Sequence, residues 1–133
     1  MDVTPHSLGL ATAGGYCRRI IGKNAPVPTE QVRTFTTARD DQLEVIVRIC
    51  QGEHEQFEQN EILGEIVLDQ LPPRRRGETK IDVAFILDAD GTLAVEARDT
   101  GTGRVTRTRI ALRGGLSTEE IEAMRARHEQ ELG

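Results

Sequence analysis

The sequence predicts a mainly β protein, a two-layer antiparallel β-sandwich of about eight strands followed by a short, truncated C-terminal α-helix. Three observations predict this fold class. Apolar and polar residues alternate in several short segments, turn-forming residues separate these segments, and the alternation gives way to helical spacing near the end of the chain. We therefore divide the chain into a sandwich domain, residues 1–115, and the start of a helical segment, residues 116–133.

The alternation is clearest at residues 43–49, 81–87 and 93–97. In the first segment Leu43 and Val45 share one face, whereas Glu44 and Arg48 lie on the other. This pattern is typical of antiparallel strands that are buried on one face. Strands are predicted at residues 7–12, 16–22, 33–38, 42–50, 62–68, 79–87, 92–99 and 104–111.

Turn and cap residues mark the ends of these elements. Residues 88–91 (Asp-Ala-Asp-Gly) lie between two predicted strands, so they favour a hairpin turn over a calcium loop, which requires flanking helices and a distant Glu ligand. Ser117 and Glu120 form a capping box, which predicts a helix from about residue 118.

Composition restricts the function classes. The chain has 133 residues and a net charge of −5, which argues against nucleic-acid binding and against adhesion to anionic membranes. Aromatic residues make up only 3%, so an aliphatic core is expected. The start of the chain lacks a secretory signal, and no apolar run approaches the roughly 20 residues of a membrane span, so a reducing cytoplasm is predicted.

Reactive motifs do not stand out. Cys17 and Cys50 are expected to be small buried side chains rather than a disulfide framework. The arginines at 74–76 are interpreted as an exposed, solvated loop. The three histidines lie far apart, and neither a phosphate loop nor a nucleophile elbow is present, so the residues indicate no catalytic or metal-binding group.

A family resemblance rests on an ordered series of short motifs that runs from Asp2 to about Met124. The series consists of residues 2–10 (DVTPHSLGL), 23–24 (KN), 27–29 (VPT), 35–38 (FTTA), 51–53 (QGE), 60–64 (NEILG), 73 (P), 76–77 (RG), 81–83 (IDV), 88–91 (DADG) and 116–121 (LSTEEI). In this order the motifs resemble the substrate-binding domain of the seventy-kilodalton heat-shock chaperones of the DnaK type. The alternative from the residues alone is a structural or carbohydrate-binding β-sandwich without a chaperone role.

The resemblance implies a stress-response chaperone module that holds extended apolar segments of unfolded client proteins. In the family, ATP and Mg²⁺ act in a separate N-terminal domain, and a J-domain co-chaperone and a nucleotide exchange factor are partners. The chain carries no match to that domain, so we expect this fragment to bind without turnover, to be no enzyme and to need no cofactor.

The resemblance also implies site residues. It implies an aliphatic pocket for one client side chain, lined by Leu10, Phe35, Val45, Val47 and Ile81. The alternative interpretation is that Val45, Val47 and Ile81 are ordinary core residues. The residues that meet or arch over the peptide backbone are Thr12, Ala13, Thr36, Ala38 and Gln42.

Three features of this sequence modify the family's pattern. Ala13 and Ala38 stand where many bacterial members pair Met with Ala, so the arch is small and we expect fast peptide release. Arg76 matches an arginine that anchors the lid, but the chain ends at Gly133, before the acidic partner, so we expect Arg76 to be free. An open groove should also attract a terminus or loop of a neighbouring chain, although the acidic neighbours of Leu132 make it a poor client.

Overall fold

A computed structural model of the chain describes residues 3–112 and Leu132. Eight strands lie within these residues: β1 (Leu8–Thr12), β2 (Tyr16–Ile21), β3 (Thr29–Thr36), β4 (Val45–Gln51), β5 (Glu61–Leu68), β6 (Lys80–Leu87), β7 (Thr92–Asp99) and β8 (Val105–Ala111). The first sheet has the order β2-β1-β4-β5 and the second the order β3-β6-β7-β8, and neighbouring strands are antiparallel. The predicted β-sandwich is confirmed, whereas the helix predicted from about residue 118 lies outside the described residues.

The second sheet follows the alternation of the sequence. In β6 and β7 every second residue is buried, and the residues between them are partly or fully exposed. The turn between these strands forms because the Asp88 carboxylate accepts hydrogen bonds from the amides of Asp90 (2.9 Å) and Thr92 (3.0 Å). Gly91 adopts φ 83°, a conformation that favours glycine, so the hairpin turn is confirmed.

The main core lies between the inner faces of the two sheets. Most of its members are Leu, Ile and Val, as the composition predicts, and each large side chain contributes about 1.5–3 kcal/mol by its burial. Two phenylalanine rings, Phe35 and Phe85, also belong to this core, whereas Phe57 is buried in a separate small cluster.

The first sheet departs from the predicted pattern. In β4 the residues from Val45 to Cys50 are all buried, so Arg48 lies in a buried position (5% exposed) rather than on a solvent face. Leu43, which was placed with Val45 on a buried face, precedes the strand and is 55% exposed. The reason is local: the Gln42 side chain binds backbone groups of a loop here, and the loop delays the start of β4.

Two further differences concern element boundaries. β3 begins at Thr29, four residues before the predicted start at residue 33. A 3-10 helix, Phe57–Gln59, was not predicted, and it places the Phe57 ring against the outer face of the first sheet, in a small cluster with Ala11, Cys50 and Ile62.

Candidate functional site

One end of the sandwich brings together the C-terminal ends of β1 and β3 and the N-terminal ends of β4 and β6. The sequence-predicted site residues come from these strand ends and from the loops beside them. We use "groove" for the space that is bounded by the backbone of Thr12 and Ala13 on one side and by Thr37 on the other.

The groove is occupied by Leu132 of the same chain. The Ala13 amide donates a hydrogen bond of 2.6 Å to the Leu132 carbonyl oxygen. The Leu132 backbone forms a parallel bridge with Thr12 and an antiparallel bridge with Thr37. Its side chain is fully buried (0% exposed), so Leu132 lies as a one-residue strand between the two walls, with its side chain in the core.

The five predicted pocket residues share one apolar cluster with Leu132. Leu10, Phe35, Val45, Val47 and Ile81 are buried and belong to the same apolar cluster as Leu132. The cluster is continuous with the main core, so these side chains serve as core in any case. They come from both sheets: Leu10, Val45 and Val47 from the first, and Phe35 and Ile81 from the second.

The residues predicted to meet a peptide backbone fall into two groups. Thr12, Ala13 and Thr36 line a cavity of about 520 Å³, next to Phe35. Gln42 instead fixes the loop that carries Ala38. Its Oε1 accepts from the amides of Ala38 (3.0 Å) and Arg39 (3.3 Å), and its Nε2 donates to the Glu44 carbonyl oxygen (2.8 Å). Gln42 therefore shapes one rim of the groove from within the loop.

A buried carboxylate holds the neighbouring loops in place. Asp99 Oδ2 accepts from the Thr102 hydroxyl (2.7 Å), its Oδ1 accepts from the Gly101 amide (3.1 Å), and the Arg74 guanidinium lies 3.4 Å away. Burial alone would raise the pKa of Asp99, but these hydrogen bonds and the Arg74 charge outweigh burial and lower it. Arg74 in turn accepts the Asp41 amide (2.7 Å) with its carbonyl oxygen, so this network ties Asp99 to the loop that ends β3.

Arg76, the predicted lid contact, is exposed on the same loop. Its amide donates to the Asp40 carboxylate (2.8 Å), which is a further link between the two loops. The lid segment that the prediction concerns lies outside the described residues.

Sequence reasoning missed Thr37 and the role of Leu132. Thr37 is buried and lies two residues after Phe35, so the alternation along β3 was a signal that could have identified it. Leu132 was expected to be a poor client because its neighbours are acidic, and a terminus or loop of a neighbouring chain was expected in the groove. The occupant is instead a residue of the same molecule, whose tethering raises its effective concentration at the groove.

Other site classes find no support in the part of the chain that the structure describes. Within residues 3–112 and Leu132, no three His, Cys, Asp or Glu side chains cluster in a way that could hold a metal ion. No helix among these residues is both long and apolar enough to span a membrane.

Comparison with known proteins gives a consistent result. The family model described as Hsp70 protein matches residues 1–132. The chain is 49% identical over 125 residues to chaperone protein dnaK1 of Synechococcus elongatus, and it has the same identity to chaperone protein DnaK 3 of a Synechococcus species. In both cases the match covers 94% of this chain and 19% of the relative, so the chain spans about a fifth of the length of these proteins.

These matches overturn one expectation. The prediction that the protein is no enzyme, because the chain lacks the ATPase domain, is wrong: nearly the whole chain matches a family that depends on ATP and Mg²⁺ in general. The absence of an ATPase domain was inferred from the extent of this sequence, but the match covers only 19% of the relative's length. The extent of the family match and the identity to the two relatives establish that this chain belongs to the Hsp70 protein family.

Proposed function

We propose that this chain is a client-binding module of an Hsp70-type chaperone and that it holds an extended, apolar segment of an unfolded polypeptide in the groove. The observation that carries the proposal is the position of Leu132, whose backbone pairs with both walls while its side chain is fully buried. Leu132, bound in this way, occupies the place that we assign to a client residue.

The physical basis of the proposal is strand addition with one selective pocket. An unfolded chain exposes unpaired backbone groups, and the backbone of Thr12, Ala13 and Thr37 pairs with an extended segment whatever its side chains are. Burial of a single Leu side chain adds roughly 1.5–3 kcal/mol and selects apolar segments. A groove of this kind recognises an unfolded state rather than one sequence.

The proposed roles follow the two groups of residues. Leu10, Phe35, Val45, Val47 and Ile81 line the pocket for the central side chain of the client. Thr12, Ala13 and Thr36 lie along the client backbone, and Ala38 faces Ala13 as the other half of the arch. Gln42 supports the Ala38 side through its hydrogen bonds to the loop.

For the whole protein we propose the properties of the family. Client polypeptides, a J-domain co-chaperone and a nucleotide exchange factor are its partners, ATP and Mg²⁺ control client binding, and the cytoplasm is its compartment.

The test is fluorescence anisotropy with a labelled, Leu-centred heptapeptide. We expect saturable one-to-one binding by the unchanged chain, and no binding of a polar peptide of the same length. The Leu132→Asp variant should bind the heptapeptide several-fold more tightly, because a competing segment lowers the fraction of chains whose groove is open.

A matched control separates this effect from a general effect of the new charge. Val105→Asp introduces the same side chain at a partly exposed position of β8 that pairs with Arg98, and it should leave peptide affinity unchanged. Absence of saturable binding by both the unchanged chain and Leu132→Asp would overturn the proposed function. Weaker binding by Leu132→Asp would overturn the assignment of Leu132 as a competitor.

A further inference from the structure

Cys17 and Cys50 meet across a strand that separates them. Cys17 lies on β2 opposite Ala11, and Cys50 lies on β4 opposite Gly9, so that β1 runs between the two cysteines. Their Sγ atoms are nevertheless only 3.0 Å apart, and both thiols are free. The sequence prediction of two inert buried side chains therefore leaves out their contact.

Gly9 makes this contact possible. A Cβ atom at this position would lie 2.9 Å from Cys17 Sγ and 2.5 Å from the Arg18 carbonyl oxygen. Any side chain on β1 here would fill the space in which the two sulfurs meet. Because Gly9 has no side chain, the Cys17 and Cys50 sulfurs can approach each other above β1.

The two thiols have different environments. Cys50 is fully buried, in the cluster that Phe57 covers. Cys17 is half-buried and lines both the cavity of about 520 Å³ beside the groove and a second cavity of about 250 Å³. A small oxidant can therefore reach Cys17 from solvent, whereas Cys50 is reached through Cys17.

The electrostatics give the two thiols different reactivities. The hydrogen bond with Cys50 lowers the pKa of Cys17 and outweighs the effect of burial, and the Arg19 charge and the Asn60 amide act in the same direction. The same hydrogen bond and burial raise the pKa of Cys50. The more accessible member of the pair, Cys17, is the one that favours the thiolate, which is the reactive form.

We propose that Cys17 and Cys50 form a peroxide-oxidised dithiol site, in which Cys17 is the attacked thiol and Cys50 the resolving thiol. The Cys17 sulfur attacks one oxygen of hydrogen peroxide; the S–O bond forms, the O–O bond breaks, and one water leaves together with the thiol proton. Cys17 is then a sulfenic acid, the first step of the cysteine oxidation ladder.

Cys50 completes the reaction. Its sulfur attacks the Cys17 sulfur; the S–S bond forms, the S–O bond breaks, and the oxygen leaves as a second water with the Cys50 proton. Two thiols lose two electrons and two protons, and one peroxide is reduced to two waters. The product is a disulfide that links β2 to β4 over Gly9.

The sheet is irregular where this reaction requires movement. The sulfurs must approach from 3.0 Å to a bond length of about 2.05 Å. The β1–β2 register shifts between Leu8 and Gly9, and the β4–β5 register shifts between Ile49 and Cys50. These irregularities lie in the backbone beside the two cysteines, where the regular ladder is already interrupted.

The test is oxidation of the folded chain with a small excess of hydrogen peroxide, followed by alkylation of free thiols and peptide mapping. We expect an intramolecular Cys17–Cys50 crosslink that dithiothreitol reverses. Cys50→Ser should instead accumulate a sulfenic acid at Cys17, which dimedone traps. Cys17→Ser should react at least about ten times more slowly, because the remaining thiol is buried.

If a serine variant folds poorly, the alkylation rates of Cys17 and Cys50 can still be compared within one sample of the unchanged protein. Cys17 should be alkylated first, and Cys50→Ala provides a second variant with an apolar replacement. Equal alkylation rates at the two cysteines, crosslinks only between molecules, or oxidation of Cys17 beyond sulfenic acid without any crosslink would each overturn the proposal. The result does not depend on whether the groove binds peptides.

Discussion

The two sheets of the sandwich differ in regularity. In the second sheet β6 and β7 bury every second residue and pair without a register shift. In the first sheet β4 is buried on both faces, and register shifts interrupt the pairing of β1 with β2 and of β4 with β5. Most of the groove and both cysteines belong to the irregular sheet or to its loops.

The difference indicates a division of tasks. A regular sheet with one apolar face supplies a rigid wall, here including Phe35 and Ile81 at the end of the sandwich. The register shifts of the irregular sheet lie beside the place where two side chains, Cys17 and Cys50, meet across a strand. Departures of this kind are expected at functional positions.

The strongest test of this comparison places the same bulky substitution in each sheet. Val45→Phe should weaken binding of the Leu-centred heptapeptide by about 10- to 100-fold, because the ring fills the pocket and removes the burial of the client side chain. Val95→Phe overpacks the core beside β7, where Val95 is equally buried, and should leave peptide affinity within a few-fold. Each substitution should reduce stability by about 1–3 kcal/mol.

Circular dichroism and thermal unfolding verify that both variants fold, and anisotropy measures their affinities. Normal binding by a folded Val45→Phe would remove Val45 from the pocket. Equal loss of affinity in Val45→Phe and Val95→Phe would mean that overpacking either sheet disturbs binding, and that Val45 has no special place in the pocket.

A second test concerns the buried carboxylate at the end of the second sheet. Asp99→Asn should lower the free energy of unfolding by roughly 1–3 kcal/mol at neutral pH, because Arg74 and the Thr102 hydroxyl lose a charged acceptor. The folded pKa of Asp99 lies below its unfolded value, so its stabilisation is complete above about pH 4 and is lost as the pH falls through the folded pKa.

Urea unfolding between about pH 2 and 7 measures both effects. The difference between the unchanged chain and Asp99→Asn should shrink as the solution becomes more acidic. A difference that stays constant over this range would contradict the role of the charge. Asp69→Asn is a control, because its ion pair with Arg104 is exposed and should contribute less than about 1 kcal/mol.

The smallest expected effect concerns the arch. Ala13→Met should slow peptide dissociation a few-fold, because a longer side chain covers more of the bound segment and changes among related complexes appear mainly in the off-rate. Ala111→Met adds the same side chain at an exposed position of β8 and should leave the rate unchanged. Stopped-flow displacement measures both rates, and equal rates for Ala13→Met and the unchanged chain would show that the arch does not control exit.

The sequence allowed prediction of those elements in which one physical signal dominates. β6 and β7 were predicted to within one residue, because alternation and a strong turn agree there. The start of β3 was missed because Thr29, Glu30 and Gln31 lack apolar alternation in an edge strand. Phe57 was missed as a helix position because a single ring among polar residues has no period.

The site was less accessible to sequence reasoning. Val45 and Val47 alternate in the same way whether they line a groove or a core, so only the family resemblance selected them. The contact between Cys17 and Cys50 depends on the strand order β2-β1-β4 and on the missing side chain at Gly9, which no local pattern reveals. The position of Leu132 against Thr12 and Thr37 depends on the three-dimensional fold of the same molecule. The acidic residues beside Leu132 in the sequence pointed to the opposite result.

The central claim is that the place of Leu132 is the place of a client, and a crystal structure of Leu132→Asp with the Leu-centred heptapeptide tests it most directly. We expect the peptide Leu side chain to pack on Phe35 and Val45 and the Ala13 amide to donate a hydrogen bond to a peptide carbonyl oxygen. The peptide backbone should pair with Thr12 and Thr37 in place of Leu132. A peptide bound elsewhere on the sandwich, with this space empty or filled by another segment of the chain, would contradict it.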